Sequence, residues 1–122
     1  GKVKVSCIDF NENQTEYFQK ELVSGIVGGH FTGAAWLGVL AINQLQGTPL
    51  VEEPVSIKDE FLVLQSADDC ENYNKYLYEE LPYTADEYAQ MSQKINPDFT
   101  YDDLMNIIST YSIDDVIARH NG

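Results

Sequence analysis

Five residues at the ends of two β-type runs carry the groups best suited to hold a small ligand. Lys2-Val3-Lys4-Val5-Ser6-Cys7-Ile8 reads as one run and stops at Asp9-Phe10-Asn11. Leu22-Val23-Ser24-Gly25-Ile26-Val27 reads as a second and stops at Gly28-Gly29-His30, with Phe31 next. An ionised carboxylate at Asp9 offers two acceptor oxygens, enough for a pair of hydroxyls, and the Asn11 amide both donates and accepts. His30 follows two glycines, so its ring can line a crevice. Phe10 and Phe31 flank the two tips and can stack on a ring face. Each has a plainer role open to it: Asp9 as a cap on the next helix, Asn11 as a turn former, His30 as a loop residue, and the two phenylalanines as core. The candidate ligand residues are thus Asp9, Phe10, Asn11, His30 and Phe31.

Other chemistries find less support. His30 and His120 have no evident serine or cysteine partner in the sequence, and the paired carboxylates fall in expected first turns of helices, so no enzyme is expected. Gly25-Ile26-Val27-Gly28-Gly29 lacks the lysine and the spacing of a phosphate loop. Calcium needs six to eight oxygens from one loop or cluster, and none of the acidic pairs alternates around a central glycine. No Cys-x-x-Cys or zinc spacing occurs. Neither a cofactor nor a metal is expected. Cys7 and Cys70 carry no disulfide framework and read as two free, buried thiols.

The elements that must position these residues are legible in the spacing of apolar side chains and in the punctuation. Asn13 to Lys20 is a short helix candidate. Phe31 to Gln46 is a long one, with Ala34, Ala35, Val39, Ile42 and Leu45 at helical spacing. Trp36, Leu37, Leu40 and Ala41 widen its apolar surface so far that deep burial is expected. Thr32 is the expected N-cap, Gly33 allows a close backbone approach, and Gly47-Thr48-Pro49 ends the helix. Leu50 to Gln65 is extended, with Phe61-Leu62-Val63-Leu64 as a third β-type run.

From residue 66 a motif of Ser or Thr, any residue, then two acids recurs at Ser66, Thr84, Thr100 and Ser112. It resembles a capping box, in which the hydroxyl accepts from the N3 amide and the N3 acid reaches back. Only the Thr84 copy has the preferred Glu at N3. Tyr83 with Tyr88, Phe99 with Leu104 and Tyr111 with Val116 stand at hydrophobic-staple spacing. Four helices starting near 67, 85, 101 and 113 follow, with Pro82 and Pro97 in the gaps.

The chain has 122 residues, which suits one compact unit, and 43% hydrophobic residues, which suits a folded core. Its net charge of −13 is uneven: −1 over residues 1–51 and −12 over the remainder. Such a surface repels phosphate backbones and anionic membranes, so no nucleic-acid partner is expected. No apolar run is long enough to span a bilayer, and with no basic start followed by an apolar stretch no signal peptide is expected within these residues. Gly1 followed directly by a β-type run reads as a boundary inside a longer product.

The order of features over residues 2–65 resembles the second lobe of type I periplasmic sugar-binding proteins, the solute receptors of ABC transporters. The features are Ile8-Asp9 after a β run, a short helix and strand, Gly28-Gly29-His30, and a long helix ending in Leu45-Gln46-Gly47-Thr48-Pro49. The resemblance implies a partial parallel-sheet lobe of three-layer α/β/α type over 1–65; the acidic four-helix extension over 66–122, expected to pack on it as a single compact unit, is longer than the family's usual ending. It implies that Asp9 hydrogen-bonds ligand hydroxyls, that a sugar-like ligand is held by lobe closure, that an ABC permease is the partner, and that the protein is extracellular, on the cell surface or in the periplasm. The chain departs from the family's pattern in lacking a first lobe, the opening of the second, and a glutamine at the second tip. The effector lobe of a LacI-type regulator shares the same pattern. A stand-alone acidic interaction domain, with a homodimer formed through an exposed sheet edge, is the expectation of a different class.

Overall fold

A computed structural model describes residues 3–122; Lys2, read as the start of the first strand, lies outside the described residues. In chain order the elements are β1 (Ser6–Ile8), α1 (Gln14–Gln19), β2 (Gly25–Gly28), α2 (Thr32–Leu45), β3 (Leu62–Leu64), α3 (Ala67–Tyr73), a π-helical segment (Asn74–Glu79), α4 (Ala85–Gln90), α5 (Tyr101–Thr110) and α6 (Ile113–Asn121). The protein is mixed α/β. Its described chain forms two compact units interleaved in sequence. Of the described residues, one unit comprises those up to 29 with 61–82 and 112–122, and the other comprises 30–60 and 83–111. Each unit therefore draws on both sides of a boundary at residue 65.

The first unit holds the sheet, in the order β1-β2-β3. β1 and β2 are parallel, as the sequence implies, with Ser6 opposite Gly25 and Ile8 opposite Val27. An all-parallel sheet is corrected by β3, which runs antiparallel to β2 with Leu62 opposite Gly28. The chain leaves the sheet at Gly28 and returns to the same end, and a strand that starts where its neighbour stops must run the other way. The register places Cys7, Ile26 and Leu64 in one cross-sheet row and Ile8, Val27 and Val63 in the other. Ile26 and Leu64 are fully buried, whereas Ile8 and Val63 are 77% and 53% exposed. One face is thus packed and the other carries an exposed apolar row. α1 packs on α3, and α6 on the π-helical segment. Cys70, Tyr73, Leu77 and Val116 are the buried hydrophobic residues these helices supply, and α1 supplies the buried polar Gln14. Cys7 is only half-buried, against the expectation of two buried thiols, because it lies on the short edge strand.

The second unit is built around α2. Trp36 and Val39 form its core with Tyr83, Met91, Phe99, Leu104 and Ile108. The Trp36 ring meets Tyr83 and Tyr111 edge-on, at centroid distances of 5.4 and 5.9 Å. Asn43, fully buried, donates to the carbonyls of Val39 and Met91, both at 2.9 Å, and accepts from the Gln93 amide at 2.9 Å. α2 is less deeply buried than its composition suggests: Leu37, Ile42 and Leu45 are exposed. The start of α2 also differs from expectation. Phe31 is the N-cap, without a side-chain bond, and Thr32 is already helical and buried. Backbone turns from Gly33 to the His30 carbonyl and from Ala34 to the Phe31 carbonyl set the helix off one residue earlier. Gly33 allows the expected close approach, since a Cβ there would lie 3.0 Å from an Asp59 carboxylate oxygen.

The four helices of the second half start at Ala67, Ala85, Tyr101 and Ile113, each behind its expected cap. The Ser66, Thr84, Thr100 and Ser112 hydroxyls all accept from the N3 amide. Thr100 closes its box fully even with Asp at N3, the Asp103 carboxylate taking the Thr100 amide at 2.8 Å. Asp69 reaches one residue further back, to the Gln65 amide, and Asp115 binds Arg119 instead.

Candidate functional site

The end of β1 is built as a sharp change of direction. The Asp9 amide still donates to the Val27 carbonyl at 2.7 Å, holding it to β2, but its φ of 74° turns the chain into the left-handed region. Aspartate tolerates that region better than most residues, and a tip with this geometry presents its side chain beyond the strand. Asp9 is exposed. The cap role open to it is not taken, because α1 begins later, behind Asn13. Asn11 does act as a turn former: its Oδ1 accepts from the Asn13 amide at 3.0 Å.

Phe10 is half-buried and meets Tyr73 of α3 edge-on, with centroids 4.5 Å apart. Gly28, at the end of β2, lets this ring approach, since a Cβ there would sit 3.0 Å from it. Gly29, at φ 82°, is pressed against Leu62, and any side chain would clash at 2.9 Å. The two glycines therefore serve packing and a positive φ, and Phe10 packs more than the sequence reading required. His30 and Phe31 are both exposed. They belong to the second unit, whereas Asp9, Phe10 and Asn11 belong to the first.

Within the first unit the structure adds residues that the sequence did not single out. A cavity of about 360 Å³ is lined by Phe10, Asn11 and Gln14 from the β1–α1 turn and by Tyr73, Asn74 and Tyr78 across it, with Glu12 also on its wall. Gln14 is 1% exposed and uses its Oε1 to accept from the Asn11 amide. Burial raises the Tyr73 phenol above its ordinary range, with the neighbouring Tyr78 phenol adding to the effect. No sequence periodicity announces these partners, because Asn74 and Tyr78 belong to the π-helical segment. The bond from the Glu80 amide to the Lys75 carbonyl at 2.9 Å spans five residues, the π spacing.

Compared with known proteins, the chain matches no family, no curated protein and no solved structure. Among the described residues no three His, Cys, Asp or Glu side chains converge as a metal site would need. No helix among the described residues is long and apolar enough to cross a membrane.

Proposed function

We propose that this chain forms one wall of a ligand-binding lobe that takes a sugar-like ligand, within a larger solute-binding protein that closes around it. The observation that supports this reading most is the parallel pairing of β1 with β2. Parallel strands bring their carboxyl ends to the same side of the sheet, so the Asp9-Phe10-Asn11 and Gly28-Gly29 tips open together. That is the side on which open α/β sheets bind ligands. Asp9 would accept ligand hydroxyls, with Asn11 beside it. The action is lobe closure around a hinge and not chemistry, and delivery would be to an ABC permease from an extracellular or periplasmic position. A three-layer arrangement belongs to the same reading, since it supplies a cover for the exposed Ile8–Val27–Val63 row. Calorimetry of the full-length gene product against neutral monosaccharides tests it. Asp9→Ala should weaken binding about tenfold or more, the loss of one charge-assisted hydrogen bond; equal affinity in the variant rules out the assigned role.

A second reading is an acidic interaction domain. The same apolar row favours it, because exposed β-branched side chains beside an open strand edge suit a protein partner. Among the described residues no strand pairs with the outer edge of β1: Val5 and Asp9 bond to β2, so by alternation Ser6 and Ile8 direct their backbone groups outward.

A further inference from the structure

Three aromatic side chains, Phe10, Tyr73 and Tyr78, line the cavity between the β1–α1 turn and the π-helical segment, and all of its lining residues belong to the first unit. Phe10 and Tyr73 meet edge-on at 4.5 Å. Tyr78 is brought to them by the π spacing. Residues five apart stand about 140° apart around an α-helix of 3.6 residues per turn. The i to i+5 bonding of a π-helix sets them nearly one above the other instead. The Glu80 amide donates to the Lys75 carbonyl at this spacing, at 2.9 Å, and the Tyr78 phenol is near enough to that of Tyr73 to raise it. An α-helix through the same residues would turn Tyr78 away from Tyr73. The Tyr78 ring nonetheless stays 77% exposed, so the segment holds a large aromatic at the mouth of a cavity and does not bury it.

The charge around this mouth has one sign. Glu12, exposed, is the charged residue on the wall, and no Lys or Arg lines the cavity. Asp68, Asp69, Glu71, Glu79 and Glu80 stand in the stretch 66–82 against Lys75 alone. Lys75 itself lies over the Tyr76 ring, 4.3 Å from its centroid, and is not part of the wall. With −13 on the whole chain, the field draws a cation and repels an anion.

Aromatic walls under a negative field select among cations. Ring faces attract a positive charge through their quadrupole. A divalent metal ion needs six or more oxygens, and the wall offers a single carboxylate. A primary ammonium brings three N–H donors that ring carbons cannot satisfy. A quaternary ammonium brings none, and its methyl shell suits an apolar wall. The volume of about 360 Å³, at the small end of ligand pockets, admits such a head group with a short arm. The side-chain amides of Asn11 and Asn74 stand on the same wall, where a hydroxyl on that arm meets them. We propose that this cavity binds a small quaternary ammonium alcohol, of which choline is the simplest. The site uses neither Asp9 nor lobe closure and takes a cation where the lobe takes a neutral ligand, so the two readings fail separately.

The test is a titration of the ¹⁵N-labelled full chain with choline chloride at constant ionic strength, followed by NMR. Saturable shifts of the Asn11, Glu12 and Asn74 backbone amides are expected, with a dissociation constant on the order of 1 mM. The uncharged isostere 3,3-dimethyl-1-butanol should bind about fivefold more weakly. Tyr78→Phe keeps the ring face and should bind as the parent does, whereas Tyr78→Leu should lose about fivefold. Tyr78 is exposed, so both variants leave the core intact. Glu12→Gln should lose about threefold, and Asp9→Ala should change nothing. The absence of a saturable shift up to about 50 mM choline overturns the proposal. Equal affinity for the uncharged isostere overturns it too, since the cavity would then be selecting shape alone. So does a Tyr78→Leu chain that binds choline as well as the parent.

Discussion

At the scale of single residues, two buried groups carry consequences. Asn43 is a polar residue inside an apolar helix, and all three of its side-chain hydrogen bonds satisfy backbone groups of the second unit. Asn43→Leu keeps the branching of the side chain but strands the Met91 carbonyl and the Gln93 amide. A loss of about 3 kcal/mol in urea-unfolding stability is expected, from roughly 1–3 kcal/mol for each unsatisfied buried group. A loss below about 1 kcal/mol would mean that these groups find other partners. Cys70 is fully buried, and its thiol is pushed up to about 11, first by desolvation and then by the Asp69 and Glu71 carboxylates. The ordinary thiol value there is 9.0, so its thiolate fraction at pH 8 falls about 100-fold. Iodoacetamide should therefore spare Cys70 in the folded chain, and mass spectrometry of the labelled peptides reads this directly. Rapid labelling of Cys70 would show that α3 opens easily. The sequence already reads Cys70 as a free, buried thiol, but the carboxylates that face it are fixed by the helix, and in the sequence Asn43 merely interrupts an apolar stripe.

Elements tell the opposite story, because helix starts are local. Ser66, Thr84, Thr100 and Ser112 each lie within a few residues of every group they bond, so the sequence alone names them. Thr100→Ala should cost about 1 kcal/mol in stability, measured by thermal or urea unfolding. The Asp103 carboxyl is held below its ordinary value of 3.8, first by the Thr100 hydroxyl and then by the Thr100 amide. A depressed carboxyl stabilises the fold above its unfolded value and loses that contribution as pH falls through the folded one. Asp103→Asn should therefore flatten the acid side of the stability profile below pH 3.8, as followed by circular dichroism. An unchanged acid limb would leave Thr100 with no bond to the ionised form. The strands were legible only as short β-type runs. The direction of β3 was not, because pairing direction depends on where the chain returns after residues 29–61.

For the whole molecule, the balance lies between charge and exposed apolar surface. A net charge of −13 keeps copies apart. Against it stand the open edge of β1 and the row of Ile8, Val27 and Val63, two of which are more than half exposed. Salt screens repulsion between exposed charges over about 10 Å at 0.1 M and over less at higher concentration. Self-association should therefore rise with salt, and Ile8→Lys should suppress it by placing a charge on the row and at the edge. Sedimentation velocity at about 100 μM protein, in low salt and in roughly 0.5 M NaCl, measures this. A monomer under both conditions would sink the homodimer expectation.

The sequence by itself determined the four helix starts of the second half, the parallel β1–β2 pair with its polar tips, and the acidic imbalance. Each of these follows from neighbours close in the chain or from composition. Tertiary structure decided the direction of β3, the placement of His30 and Phe31 in a different unit from Asp9, Phe10 and Asn11, and the partners of the Phe10 ring. It alone brought Gln14 of α1 into one cavity with Tyr73, Asn74 and Tyr78, residues some sixty positions away. The physical reason is separation along the chain: a hydroxyl three residues from its amide is fixed by local geometry, whereas the walls of a cavity are fixed only when distant segments pack.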